Sequence, residues 1–221
     1  MQIAEIYESL QGEGMYAGTP SIFVRTSGCN LRCLWCDTPY YSWWPDTKAT
    51  MSVKTIIKTT DSTIPHVVIT GGEPLLQKEL GTLTNAFRSR GQIVTIETAG
   101  TIYDDSIVPN LWSVSPKLSN SMPTEHPREL QLHKKNNTQH LLPNFLSSDS
   151  KIQLKFVIEK NSDIDEVLEL IVKYDIPKRT VFLMPQATDF PTLQEISAWL
   201  GKCCIHHHLN FSPRLHVELW R

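Results

Sequence analysis

Six short strand-like runs, rich in β-branched and aromatic residues, recur between residues 21 and 184, and helical patterns or long crossovers separate them. They are Ser21–Thr26, Val67–Thr70, Ile93–Glu97, Leu111–Ser115, Ile152–Ile158 and Val181–Met184. Strands joined this way pair in parallel, which predicts an α/β fold. Ser52 predicts the cap of a helix with Val53, Ile56 and Ile57 on its apolar face. Leu76, Leu80, Leu83 and Phe87 recur near helical period, and Gly91 follows as a C-cap. A third helix carries Ile164, Val167, Leu168 and Ile171 and stops near Pro177; a fourth carries Leu193, Ile196 and Leu200 and ends at Gly201. Ile3–Tyr7 reads as an edge strand, and the alternation from Arg214 to Trp220 as a last strand. Residues 119–150 are polar and without clear period, and read as a long inserted loop with room for one short helix. A closed eight-unit barrel takes about 250 residues. A chain of 221 residues with that insertion reads instead as a single domain, residues 1–221, built as a partial, open (β/α)6-type barrel.

Charge narrows the partners. The net charge of -2 gives no basic field for nucleic acid. No apolar run is long enough to span a bilayer, and Met1–Ile6 lacks the features of a signal peptide. Five cysteines without an even, spread-out pattern fit a reducing, cytoplasmic setting.

Three of those cysteines crowd into Cys29-Asn30-Leu31-Arg32-Cys33-Leu34-Trp35-Cys36. Thiolates this close can converge on one metal centre. Iron–sulfur clusters usually take four cysteines, and no fourth lies nearby, so a four-iron cluster here would keep one iron open to a small molecule. Cys33 and Cys36 also have the gap of a structural zinc site, whose missing ligand would have to come from distant His206-His207-His208. The aromatic patch Tyr40, Tyr41, Trp43 and Trp44 follows, read as a lid over the loop in preference to a partner surface.

Active sites of such barrels lie at the carboxyl ends of the strands. Arg25 and the Cys loop, Thr70 with Gly71-Gly72-Glu73-Pro74, Glu97, Ser115-Pro116-Lys117 and Met184-Pro185-Gln186 all fall at strand ends. Five ends carrying unusual polar residues predict one polar pocket over the barrel mouth.

The Cys spacing, with an aromatic before the third Cys, resembles the radical S-adenosylmethionine superfamily. Within it, Leu10-Gln11-Gly12-Glu13-Gly14, Arg25, Cys36-Asp37-Thr38, Thr70–Pro74, Ile96-Glu97-Thr98, Val114–Lys117, Leu154-Lys155 and Ser212–His216 together resemble the 7-carboxy-7-deazaguanine synthase family. That family contracts the ring of 6-carboxy-5,6,7,8-tetrahydropterin to 7-carboxy-7-deazaguanine and ammonia, on the path to queuosine. The resemblance implies that Cys29, Cys33 and Cys36 hold a [4Fe-4S] cluster. It implies that S-adenosylmethionine on the open iron is cleaved to a 5′-deoxyadenosyl radical that takes a hydrogen from the substrate. It assigns Leu10, Gln11, Gly12, Glu13, Arg25 and Thr70 to the pterin and its carboxylate. Gly72 and Glu73 fall to the S-adenosylmethionine amino group, and Trp35 and Asp37 to its adenosyl side. Ser115, Pro116 and Lys117 fall to its ribose and methionine region, with Gln186, and Glu97 is also counted with the cofactor. Thr38 is implied to give a hydroxyl to Mg²⁺ beside the substrate carboxylate. A homodimer and an electron donor such as flavodoxin or ferredoxin are implied as well. Some members place a terminal carboxylate against substrate; this chain ends differently, at Trp220-Arg221, and that contact is not carried over. Two rival readings share part of the pattern: an activase that makes a glycyl radical on a partner protein, and a zinc-stabilised binding module.

Overall fold

The computed structural model describes residues 1–43, 49–137 and 139–220. Its strands are β1 (Gln2–Leu10), β2 (Pro20–Thr26), β3 (Ala49–Thr50), β4 (His66–Gly71), β5 (Ile93–Thr98), β6 (Leu111–Val114), β7 (Lys151–Ile158), β8 (Val181–Pro185) and β9 (Asn210–Phe211). The helices are α1 (Pro39–Ser42), α2 (Val53–Thr59), α3 (Leu80–Ser89), α4 (Pro127–Asn136), α5 (Leu142–Leu146), α6 (Asn161–Lys173), α7 (Phe190–His207) and α8 (Leu215–Trp220).

The strands form one sheet in the order β3-β1-β2-β4-β5-β6-β7-β8-β9. From β2 to β9 every neighbour is parallel, while β1 runs antiparallel to both β2 and β3. The six expected strands are the parallel core, and the sheet stays open, as a partial barrel does. Its central strands are apolar on both faces, with Val67, Val68 and Ile69 wholly buried, because helices cover one face and side chains fill the other. The helix α3 buries Leu80, Leu83 and Phe87, and α6 buries Ile164, Val167, Leu170 and Ile171. Ser52 caps α2 by accepting from the Thr55 N–H. No helix among the described residues is long and apolar enough to cross a membrane.

Three expectations are corrected. Residues 119–150 are no long loop: they fold as a 3₁₀ turn at Ser119–Ser121 followed by α4 and α5. Gly201 does not end its helix; α7 runs on to His207 and is capped by His208 in the left-handed region, at φ 57°. A glycine inside a helix costs about 1 kcal/mol, and burial of Leu200 and Cys204 on the same helix offsets it. The tail is a helix, not a strand. Arg214 turns inward and is almost fully buried, and the Leu215 N–H donates to Gly12 O, so the chain folds across the strand ends instead of continuing along the sheet edge.

Candidate active site

The carboxyl ends of the parallel strands open into a cavity of about 530 Å³. Cys29, Cys33 and Cys36 lie in its wall, on the irregular segment between β2 and α1. That segment is tied at both ends. Gly28 N–H and Ser27 Oγ donate to Tyr41 O, at 3.0 Å each, and Glu73 N–H donates to Gly28 O at 2.9 Å. Gly72 makes that last approach possible, since a Cβ there would lie 2.1 Å from Gly28 O and 2.9 Å from Cys29 Cβ. The aromatic patch takes the lid position in part: Tyr40 lines the cavity, and the Arg32 guanidinium sits 5.7 Å from the Trp43 ring. Trp44 lies outside the described residues.

The loop after β1 forms the opposite wall. Leu10, Gln11, Gly12 and Glu13 all line the cavity. Gly14 N–H donates to Ser212 Oγ and Met15 N–H to Gln153 Oε1, which fixes this loop to the C-terminal segment and to β7. Gly14 takes φ +66°, and a Cβ there would meet Gln153 Nε2 at 2.3 Å.

Between the two loops runs an ionic network. The Lys155 ammonium pairs with Glu13 and lies 3.5 Å from Glu97 Oε1. Arg214 lies 3.6 Å from Glu13 and 2.5 Å from Asp37, and its Nη1 donates to Ala187 O. Burial alone would push the Glu13 carboxyl up, but Lys155 and then Arg214 outweigh it and hold it at about 2. Burial works against the Lys155 ammonium too, yet Glu13 and Glu97 raise it above its ordinary value. Both partners therefore stay charged at neutral pH.

Glu97 accepts from Gln11 Nε2 at 3.2 Å and from the Thr70 hydroxyl at 2.9 Å. These bonds join Glu97 to Gln11 and Thr70, two residues that the resemblance assigns to the pterin. Arg25 lines the cavity as expected, but its Nε donates to Glu5 at 2.6 Å and its Nη2 to Tyr7 at 2.9 Å. Lys117 donates to Ser115 Oγ at 2.8 Å and sits 5.4 Å from the Trp35 ring. Among the described residues it is in no ion pair, unlike Arg25 and Lys155.

Thr38, Asp37, Trp35, Thr70, Gly72 and Ser115 also border the cavity, whereas Glu73, Pro116 and Gln186 do not. Glu73 is wholly buried. Its carboxylate accepts from Thr98 Oγ1, Ala99 N–H and Leu75 N–H, so it ties β5 to the turn after β4 instead of facing the cofactor space. Pro116 is buried, and the Gln186 backbone N–H donates to Ile158 O at 2.8 Å.

Sequence reasoning left Lys155, Arg214 and His216 out of the site, along with Glu5 and Tyr7. The signal for Lys155 was a lone charge inside the buried run Leu154–Ile158. Arg214 and His216 stand in a segment that resembles the family, but the strand-like alternation of the tail put them on a sheet edge and gave them no site role; Trp220 of the same tail also reaches the cavity.

The profile of the Radical SAM superfamily matches residues 23–192. A 7-carboxy-7-deazaguanine synthase of Rhodopirellula baltica is 38% identical over 98% of this chain and 85% of its own length. One of Halobacterium salinarum is 41% identical over 100% of this chain and 90% of its own. The chain belongs to the 7-carboxy-7-deazaguanine synthase family. The crystal structure of QueE from Escherichia coli has the same fold, with a TM-score of 0.70 at 23% identity, covering 96% of this chain and 92% of that one. Membership in the synthase family favours pterin chemistry over the activase and zinc-module readings.

A radical S-adenosylmethionine enzyme implies a [4Fe-4S] cluster and S-adenosylmethionine, and the thiols of this synthase-family member fit that group. All three open into one cavity. Burial pushes Cys29 up to about 11 and Cys33 to about 12, so as free thiols they stay protonated, and metal binding would have to deprotonate them. Among the described residues no three His, Cys, Asp or Glu side chains gather closely enough for a single ion.

Proposed function

We propose that this cavity converts 6-carboxy-5,6,7,8-tetrahydropterin to 7-carboxy-7-deazaguanine and ammonia. The observation that carries the reading is that one cavity receives both the three thiols and the hydrogen-bonded set Gln11–Glu97–Thr70. Cys29, Cys33 and Cys36 would hold the cluster, which with S-adenosylmethionine supplies radical hydrogen abstraction. Glu97, held by donors from both sides, presents a carboxylate to the N–H edge of the pterin ring. Gln11 and Thr70 fix its orientation, and the Lys155 ammonium lies 3.5 Å from it. Arg25 brings a cation for the substrate carboxylate, with Glu5 and Tyr7 aiming its guanidinium. Lys117, free of acidic partners among the described residues and lying over Trp35, suits the carboxylate of the methionine moiety. Gly72 lets the turn after β4 lie against the Cys loop. A one-electron donor such as flavodoxin or ferredoxin, a homodimer and a cytoplasmic setting complete the reading. The test is an anaerobic assay of reconstituted protein with 6-carboxytetrahydropterin. Formation of the deazapurine with release of ammonia is expected; S-adenosylmethionine cleavage that never yields the deazapurine would overturn it.

Thr38 would contribute to a Mg²⁺ site in the same reading. It stands at the cap position of α1, yet its side chain makes no capping bond, and no other hydrogen bond of its hydroxyl occurs among the described residues. A hydroxyl facing a cavity suits a hard cation that keeps several waters and is completed by a substrate carboxylate. Mg²⁺ is expected to raise turnover and substrate affinity together. Thr38→Ser should keep most of the stimulation, and Thr38→Ala and Thr38→Val should lose most of it with iron content unchanged. Magnesium titration of chelator-treated protein reads this out, and equal stimulation of wild type and Thr38→Ala would return Thr38 to an ordinary loop residue.

A further inference from the structure

The segment from Gly28 to Thr38 has no regular structure, so its backbone donors and acceptors need partners from elsewhere. The crossover between β6 and β7 supplies them. His133 Nδ1 accepts from Arg32 N–H at 3.3 Å, and Ser121 O accepts from Leu34 N–H at 2.8 Å. Asn120 O accepts from Trp35 Nε1 at 3.1 Å, and Asn136 Nδ2 donates to Asn30 O at 2.8 Å. These four bonds fall on residues 30 to 35, on either side of Cys33.

The crossover is itself fixed from behind. Asn120 Nδ2 donates to Val157 O and to Asp163 Oδ2, and that carboxylate also accepts the Glu159 and Lys160 N–H groups. His133 and Ser121 are both wholly buried. With Nδ1 accepting from a backbone N–H, the proton of His133 belongs on Nε2, which donates to Ser121 Oγ at 3.1 Å, and that hydroxyl donates to Leu118 O at 2.6 Å. The chain of bonds has one direction and only one neutral tautomer satisfies it.

We infer that the β6–β7 crossover, through the His133–Ser121 pair, is a brace that holds the cysteine loop in its ligand-presenting shape before any metal binds. His133 is thus a positioning residue. The inference rests on the reading that Cys29, Cys33 and Cys36 are the ligands. Preorganisation matters because the three thiols must be held to one geometry at once, and a slack loop presents them to a cluster only part of the time.

Hydrogen–deuterium exchange of the metal-free full chain tests the brace without any cluster. His133→Phe should speed exchange of the peptide covering residues 29–36 by roughly tenfold, the factor for a buried donor losing its acceptor. His133→Asn puts an acceptor where Nδ1 was and should restore slow exchange. His133→Gln reaches only the Nε2 position and should not. Simple filling of space would not separate Asn from Gln in that order. Asn136→Ala, at the margin of the brace, removes its one bond to the cysteine loop, along with a bond to Leu132 O inside α4, without emptying a core position, and should loosen the same peptide to a smaller degree. After reconstitution, iron per chain should fall and bleaching of the cluster absorbance in air should quicken in the order Asn, Gln, Phe. Unchanged exchange of residues 29–36 in both His133→Phe and Asn136→Ala would overturn the inference, as would equal behaviour of the Asn and Gln variants. Wild-type protein that takes up no cluster would instead sink the reading of the thiols, leaving metal-free exchange to decide the brace alone.

Discussion

Cys33→Ala is expected to abolish S-adenosylmethionine cleavage, with Cys29→Ala and Cys36→Ala doing the same. The loss should be chemical and not a failure of folding. Cys33 O accepts from Cys36 N–H, and the neighbouring Leu34 N–H donates to Ser121 O; both are backbone bonds that an alanine leaves in place. What disappears is one of only three thiols in the cavity wall. A four-iron cluster already one protein ligand short of the usual four has no replacement within reach. Cys203→Ala and Cys204→Ala are the controls. Both residues sit on α7, away from the cavity lining, and both variants should cleave as wild type does. The measurement is methionine and 5′-deoxyadenosine formed under anaerobic reduction, with iron counted per chain. Full cleavage by Cys33→Ala would end the assignment of the loop.

The parts of the fold that the sequence disclosed are those whose order comes from apolar burial. Runs such as Val67–Thr70 and Val181–Met184 have to be buried strands, because so many β-branched and aromatic side chains in a row need cover on both faces. The helix α4 gave no such signal. Its ten residues bury only His133, and it is secured by polar bonds to the cysteine loop, which leave no apolar period to read. The tail misled for a related reason. Leu215, Val217 and Leu219 alternate like a strand, but only Val217 is buried, and the turn is imposed by the ion pair of Arg214 with Asp37, a contact 177 residues distant in sequence. At the site, the cysteines were legible from their types and spacing, whereas the Leu10–Glu13 loop, on its own a plain turn, was pointed to by the family resemblance. Which carboxylate faced which cation was not, since Glu73 just past β4 and Glu97 near the end of β5 sit alike in the sequence, and only their three-dimensional neighbours separate the tie to Thr98 from the bond to Thr70.

Lys155→Met is expected to cost the largest loss of stability of any single change around the cavity, about 3–5 kcal/mol, the usual result of stranding a buried charge. Lys155 and Glu13 expose only 5% and 16% of their side chains, so solvent cannot take over the role of the missing ammonium. The sign with pH follows from Glu13. Its carboxyl is held at about 2 in the folded chain against 4.5 for a free glutamate. It therefore contributes stability that is fully present above pH 4.5 and is lost as pH falls towards 2, on the order of 3 kcal/mol at roughly 1.4 kcal/mol per unit. Lys155→Met removes the largest attraction opposing burial, so its Glu13 should titrate at a higher pH and its acid unfolding should begin earlier. Glu13→Gln alone strands the ammonium, although Glu97 at 3.5 Å remains to receive it, so its cost should be smaller. Glu13→Gln combined with Lys155→Met removes both charges and should recover part of the loss, because no buried ion is left unpaired. Urea unfolding of the wild type, the two single variants and the double variant at pH 7 and pH 4 measures the coupling. Additive losses at pH 7, or an unfolding midpoint of Lys155→Met that matches wild type at both pH values, would show that the pair does not hold the two walls of the cavity together. With coupling present, the same double variant separates structure from chemistry: its recovered fold should still turn over poorly, since Glu97 has lost the cation beside it.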